Sequence, residues 1–149
     1  MSYSNGSARI DDLHQDGVGG LVLPVLLGLS VAVVTYLALF LVILSIAFAQ
    51  FDYRHAFSTA DALAIGVQGG LALGLVCALG SWLSGRRAQL RDVAPSLARR
   101  AGWATGAMVT GLVLLLGLAP ALRLVTVPIY LLLAVAGSTA GTALSARGR

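Results

Sequence analysis

Few residues in this sequence have the types and spacing that acid–base, nucleophilic or metal chemistry requires. His55 belongs to the group D-x-R-H with Asp52 and Arg54, which could titrate near neutral pH or contribute to a metal site. One histidine and one carboxylate fall short of a metal-binding set, so a solvated loop is the favoured interpretation. Asp61 stands where an apolar run begins and fits a helix N-terminus better than a functional acid. The single cysteine, Cys77, lies among apolar residues and predicts a buried small side chain.

The sequence contains none of the common catalytic or phosphate-binding motifs. It has no Gly-rich phosphate loop ending in Lys, no G-x-S-x-G, no H-E-x-x-H and no C-x-x-C. Most polar residues inside the apolar segments carry hydroxyls, which bond to their own helix or to a neighbouring helix. Gln68 carries an amide instead, and we expect an interhelical hydrogen bond there rather than a substrate contact. The sequence therefore predicts no enzyme, no metal site and no cofactor.

The basic stretch GSWLSGRRAQLRDVAPSLARR, residues 80–100, holds five of the ten arginines in a chain without lysine. Nucleic-acid binding would need a larger basic surface with aromatic side chains free to stack on bases. The tryptophans at either end of the stretch instead fit the membrane interface. We predict that the arginines set the membrane orientation and contact anionic lipid headgroups. The residues are Arg86, Arg87, Arg91, Arg99 and Arg100, with Trp82 and Trp103 as interfacial anchors.

Four long uncharged segments predict the elements that position these residues. The chain is 58% apolar and 11% charged, far from the balance of soluble proteins. Each uncharged segment exceeds the roughly 18 residues that a helix needs to cross a hydrocarbon core of about 30 Å. Continuous apolar runs favour helices over barrel strands. We predict an all-α, polytopic four-helix bundle in a transmembrane domain of residues 21–146. Its spans are 22–49, 62–84, 101–119 and 124–145, with a mobile polar tail at 1–20, a basic cytoplasmic loop at 85–100 and a basic tail at 147–149.

Arginine placement predicts that both termini face the cytoplasm. In that orientation eight arginines are cytoplasmic and two, Arg54 and Arg123, lie outside, as the positive-inside rule requires. Arginine without lysine, together with abundant Ala, Gly, Val and Leu, indicates GC-rich codons and a bacterial genome. We therefore expect a multi-pass protein of the bacterial cytoplasmic membrane.

Several helix boundaries are less sharply indicated. Ala47-Phe48-Ala49 resembles a signal-peptide cleavage site, but the apolar run before it is about twice the usual 7 to 15 residues, so retention of the first span is favoured. Pro24 fits the first turn of that span, and Gly85 fits the end of the second. Pro128 either begins the fourth span or kinks it.

Small residues recur in the spans at the spacing of helix-packing contacts. In the second span they follow one another at i+4 from Ala62 to Ala78, which lines one helical face with almost no side-chain volume. Packing within one bundle is favoured over a self-association surface. The glycines predicted to pack helices are Gly66, Gly70, Gly74, Gly102, Gly106, Gly137 and Gly141.

The spans lack the ionisable residues that membrane enzymes and proton-coupled transporters use. This favours an accessory, assembly or interaction subunit of a membrane complex, working with a membrane-protein partner or through self-association. The alternative is a homo-oligomeric small channel or transporter, since hydrophobic constrictions and backbone carbonyls need no charge. The absence of glutamate and the arginine bias argue against a proton-coupled exporter of the small multidrug type.

Overall fold

The described part of the chain consists of four α-helices without a strand. A computed structural model describes the backbone of residues 8–50, 58–116 and 126–147, and the side chains of residues 19–49, 58–116 and 126–147. The predicted all-α fold is confirmed for this part of the chain, where three helices, α1, α2 and α4, are long and apolar enough to cross a membrane. The helices are α1 (Ala8–Gln50), α2 (Thr59–Gln89), α3 (Pro95–Leu115) and α4 (Val127–Arg147).

α3 differs from the other helices because two arginines occupy its second turn. Arg99 and Arg100 leave an apolar stretch from Ala101 to Leu115, which is shorter than the roughly 20 residues that a bilayer requires. The predicted third span also includes residues 117–119, which lie outside the described residues.

α2 is the central helix and packs against the other three. α3 also contacts α1 and α4, whereas α1 and α4 do not meet in the described ranges. α1 and α2 run antiparallel, because Gly28 lies beside Ser84 and Ala32 lies beside Gly80. α3 also runs antiparallel to α2, because Ser81 bonds to Gly102 and Cys77 lies beside Gly106. α2 and α4 run parallel, and Gly85 lies beside Ser145 near the ends of both. The α2–α3 connection and the last turn of α4 therefore share one end of the bundle.

The hydrophobic core lies in the middle of the bundle. Tyr36 and Tyr130 are its largest side chains, and both are fully buried. Leu73, Val76 and Val109 pack in the same cluster. Towards the α2–α3 connection the buried residues become small, mainly Gly, Ala, Ser and Thr. The helix backbones can therefore approach one another closely at that end.

α1 begins earlier than the sequence predicts. Its helical backbone starts at Ala8, so residues 8–20 of the predicted tail are helical and residues 1–7 lie outside the described residues. The placement of Pro24 in the first turn is wrong, because it lies inside the helix and its ring is buried. Membrane helices tolerate interior prolines when neighbouring groups pack around the freed carbonyl.

The structure also gives the end of α2 and the start of α4. α2 does not end at Gly85 but continues to Gln89, so the predicted loop 85–100 is reduced to a connection of residues 90–94. α4 begins at Val127, which places Pro128 in the first turn, where it loses no intrahelical hydrogen bond. The predicted loop residues Asp52, Arg54, His55, Arg123 and Arg149 lie outside the described residues.

Candidate functional site: the basic end and the small-residue interior

A tight turn between α2 and α3 positions the basic end of the bundle. The Val93 N–H donates to the Ala88 carbonyl at 3.2 Å, and the Asp92 N–H donates to the Gln89 carbonyl at 3.1 Å. These two bonds form a Schellman motif, in which the residue just after the helix end adopts the left-handed backbone conformation. Asp92 supplies it with a φ of 56°. The turn reverses the chain within a few residues and brings both arginine pairs to the same end.

All five predicted arginines are exposed at this end of the bundle. Arg147 joins them from the last turn of α4. Among the residues whose side chains are described, Asp92 is the single carboxylate at this end, and Asp61 is the single charged residue at the opposite end. The described charges are therefore strongly polarised along the bundle axis. The five arginines are Arg86 and Arg87 in the last turns of α2, Arg91 in the connection, and Arg99 and Arg100 in α3.

The two predicted anchor tryptophans lie near the arginines but in different surroundings. The guanidinium carbon of Arg86 lies 5.7 Å from the centroid of the partly buried Trp82 ring, within cation–π range. Trp103 is 38% exposed and borders a cleft of about 270 Å³ between α3 and α4. Thr110 and Ser138 line the same cleft.

The glycine row of α2 lies directly against α4. A Cβ added at Gly74 would lie 2.9 Å from the Leu133 carbonyl oxygen. An added Cβ at Gly137 would collide with the Gly74 backbone, and one at Gly141 would collide with the Ala78 backbone. Side chains at these positions would force the two helices apart. The predicted glycines Gly66 and Gly70 also face this contact, opposite Thr126 and Leu133.

The two predicted glycines of α3 lie at the junction of α2, α3 and α4. A Cβ added at Gly102 would lie 3.0 Å from the Ser81 carbonyl oxygen and 2.7 Å from Cγ2 of Thr142. A Cβ at Gly106 would overlap the Ser138 hydroxyl. All seven predicted packing glycines therefore lie at close contacts, and the contact at Gly70 is the loosest because its nearest neighbour is the end of the Leu133 side chain at 3.0 Å.

The sequence analysis missed three further close-packing glycines. An added Cβ at Gly28 would lie 2.8 Å from the Gly80 carbonyl oxygen, and one at Gly80 would lie 3.0 Å from the Ala32 methyl group. A Cβ added at Gly85 would lie 2.6 Å from the Ser145 hydroxyl oxygen. The i+4 pairs Gly28–Ala32 and Gly80–Ser84 were available as a signal. Gly80 and Ser84 form a second small-residue face on α2, which is directed towards Gly28 and Ala32 of α1.

Hydroxyl groups occupy the narrow space between α2 and α3. Ser81 Oγ donates to the Gly102 carbonyl at 2.8 Å, and the hydroxyl oxygens of Ser84 and Thr105 lie 2.7 Å apart. Cys77 is buried, with its Sγ 3.7 Å from the Gly106 carbonyl oxygen. Every buried side-chain nitrogen and oxygen in the described ranges has a hydrogen-bond partner. These groups therefore hold the helices together.

The two polar residues that the sequence singled out near the start of α2 behave differently. Ser58 Oγ accepts from the Asp61 N–H at 3.1 Å, and Asp61 Oδ2 accepts from the Ser58 N–H at 3.1 Å. This capping box confirms the cap interpretation of Asp61. Gln68 lies on the exposed face of α2 and makes no hydrogen bond to any described residue. The interhelical bond expected for Gln68 is therefore not made within this part of the chain.

Neither metal ligands nor known relatives define a further site. The described residues contain no group of three or more His, Cys, Asp or Glu that could hold a metal ion. No family model, curated protein or solved structure matches the chain. The described structure is that of an all-helical protein with three helices suited to spanning a membrane.

Proposed function

We propose that the chain is a small, non-enzymatic integral membrane protein with four spans, which acts as an accessory, assembly or interaction subunit of a membrane complex. It resides in the bacterial cytoplasmic membrane with both termini in the cytoplasm. The polarised charge supports this orientation, because six described arginines gather at one end of the bundle. α3 packs antiparallel to α2 and would cross the bilayer beside it, with residues beyond Leu115 completing its apolar length.

The exposed amide of Gln68 is the observation that carries the accessory role. It lies seven residues after Asp61, or about 10 Å along the helix axis at 1.5 Å per residue. Its neighbours on this face include Leu71 and Leu75, which are 52% and 68% exposed. A carboxamide on such a face gains hydrogen bonds from a partner helix that lipid cannot supply. We assign this face of α2 to contact with a partner protein.

The packed interior supports an interaction role over transport through a single copy. Buried hydroxyls bond to helix carbonyls, and several glycines lie against the backbone of a neighbouring helix. A path along the centre of the described bundle would have to open these contacts. A homo-oligomeric channel, the alternative, would place its path between copies and would use the same exposed face.

Co-purification from native membranes tests the proposal. The affinity-tagged full chain is extracted in a mild detergent, and the bound proteins are quantified by mass spectrometry. We expect one different membrane protein at a fixed stoichiometry. Gln68→Leu keeps the side-chain size but removes the amide, so it should reduce the recovery of that partner. Gln89→Leu makes the same change at the basic end of α2 and should leave recovery intact.

The other possible outcomes of the co-purification each contradict one part of the proposal. Recovery of copies of the chain alone, with ion flux in liposomes, would replace the accessory role with the channel alternative. Recovery of the chain without any partner in several mild detergents, and without flux, would contradict both roles. Equal losses for the Gln68 and Gln89 variants would remove the exposed face of α2 from the contact.

A further inference from the structure

A groove between α1 and α3 opens on the side of the bundle near its basic end. It encloses about 360 Å³ and is lined almost entirely by apolar side chains. Leu21 and Val25 of α1 form one wall, and Ala104 and Met108 of α3 form the other. Arg100 is the one charged residue that lines it. The groove thus has apolar walls and one cationic residue. It lies at the end of the bundle where the other described arginines gather.

The packing of both walls on α2 explains why the groove exists. α1 is drawn onto α2 where Gly28 meets Gly80, and α3 is drawn onto α2 where Ser81 donates to Gly102. These contacts fix both helices on the surface of α2 but do not close the space between them. The short side chain of Ala104 leaves that space unfilled on the α3 side.

We propose that this groove binds an acyl chain of an anionic phospholipid, with the Arg100 guanidinium on the lipid phosphate. This inference rests on the membrane placement in the proposed function but not on the identity of any partner. An acyl chain matches the apolar walls, and the phosphate matches the guanidinium, which binds phosphate oxygens with two parallel N–H donors. Basic pockets between membrane helices on the cytoplasmic side are suited to anionic headgroups.

Arg100 differs in its surroundings from the other arginines of the basic end. Arg86 lies over the Trp82 ring and borders a separate depression that also contains Asp92. A carboxylate there opposes a phosphate, whereas none of the described residues that line the groove beside Arg100 is acidic. Arg91 lies in the α2–α3 connection and does not line the groove. The arginines carry the same charge, so charge alone would not distinguish them as binding sites for a lipid phosphate. Arg100 differs from the others because it lines the apolar groove.

Native mass spectrometry of the full chain in detergent micelles tests the site. The chain is titrated with dioleoyl phosphatidylglycerol, with the neutral dioleoyl phosphatidylcholine, and with soluble glycerol phosphate. We expect one phosphatidylglycerol to be retained in preference to phosphatidylcholine, and glycerol phosphate not to compete. Arg100→Gln should weaken phosphatidylglycerol retention about fivefold, the effect of losing one arginine near an anionic headgroup. Arg147→Gln removes the same charge from the same end, at an exposed position that does not line the groove, and should leave retention unchanged.

A second variant tests the apolar part of the site. Ala104→Leu fills the groove and should reduce retention of both phospholipids, while thermal unfolding in detergent verifies that the bundle remains folded. Equal losses for the Arg100 and Arg147 variants would reduce the site to general surface charge. Competition by glycerol phosphate, or unchanged retention in the Ala104 variant, would exclude the acyl-chain groove. Absence of any retained lipid on the wild-type chain would overturn the proposal.

The result is independent of the partner experiment. Loss of partner recovery with intact lipid retention would contradict the accessory role alone. Partner recovery without specific lipid retention would contradict the lipid site alone. Release of the chain from membranes by alkaline carbonate would contradict the membrane placement on which both depend.

Discussion

At Gly137 the α4 backbone lies so close to α2 that no side chain fits between them. An added Cβ would overlap the carbonyl of Gly74. A backbone carbonyl cannot rotate away as the end of a flexible side chain can, so the helices themselves must move. Gly111 of α3 provides the contrast, because an added Cβ there meets nothing within 4 Å. The same residue type therefore has opposite structural consequences in two helices of one bundle.

Gly137→Ala should lower the free energy of unfolding by about 1–3 kcal/mol, as overpacking of a tight contact does. Gly111→Ala should leave it unchanged or raise it by about 0.5–1 kcal/mol, because alanine has the higher helix propensity. Equilibrium unfolding of both variants in mixed micelles with increasing SDS measures the difference. Equal effects at the two positions would mean that the α2–α4 contact is looser than these distances indicate.

At the scale of the element, α2 carries two small-residue faces, of which sequence periodicity readily identifies one. The row from Ala62 to Ala78 faces α4, and its regular i+4 spacing made it visible. Gly85 continues this face against Ser145 of α4, whereas Gly80 belongs to the second face, which contacts α1. Which face meets which helix depends on how the whole bundle packs, and a single sequence does not contain that information.

The helix boundaries likewise depend partly on the local sequence and partly on how the helices pack. The uncharged segments were sufficient to predict each described helix, because the need to cross a bilayer sets a minimum length. Gly85 suggested a helix end, but its lack of a side chain serves the contact with Ser145 instead. The residue that adopts the left-handed conformation is Asp92, which is a less common choice than glycine. Gln68 was recognised from its type, but its exposure was not predictable without the fold.

The turn between α2 and α3 can be tested through the backbone of Asp92. Asp92→Val places a β-branched side chain at a φ of 56°, so it should lower the free energy of unfolding by about 1–2 kcal/mol. Ala94→Val introduces the same residue two positions later, at a φ of −52° and a ψ of 140°, where it should be tolerated before Pro95. Thermal unfolding of the two variants in detergent compares them. A similar loss in both would indicate that bulk in the turn, rather than the backbone conformation, is unfavourable.

At the scale of the molecule, the described arginines all lie at one end of the bundle. The described residues place Arg86, Arg87, Arg91, Arg99, Arg100 and Arg147 at one end and Asp61 at the other. This separation follows from the antiparallel order of the helices, which returns the α2–α3 turn and the last turn of α4 to the same side. In the membrane placement that we propose, this separation would give the bundle a preferred orientation.

Neutralising the basic end should therefore weaken the orientation of the whole bundle. The variant replaces the five arginines from Arg86 to Arg100 with glutamine in a Cys77→Ser background, with one reporter cysteine in place of either Ser58 or Gln89. A membrane-impermeant maleimide applied to intact cells should label the Ser58 reporter and spare the Gln89 reporter in the parent. In the glutamine variant the Gln89 reporter should also become labelled, because the positive-inside bias is lost. Replacing the same five arginines with lysine keeps the charge and should preserve the parent pattern. Unchanged labelling in the glutamine variant would mean that these arginines do not set the orientation.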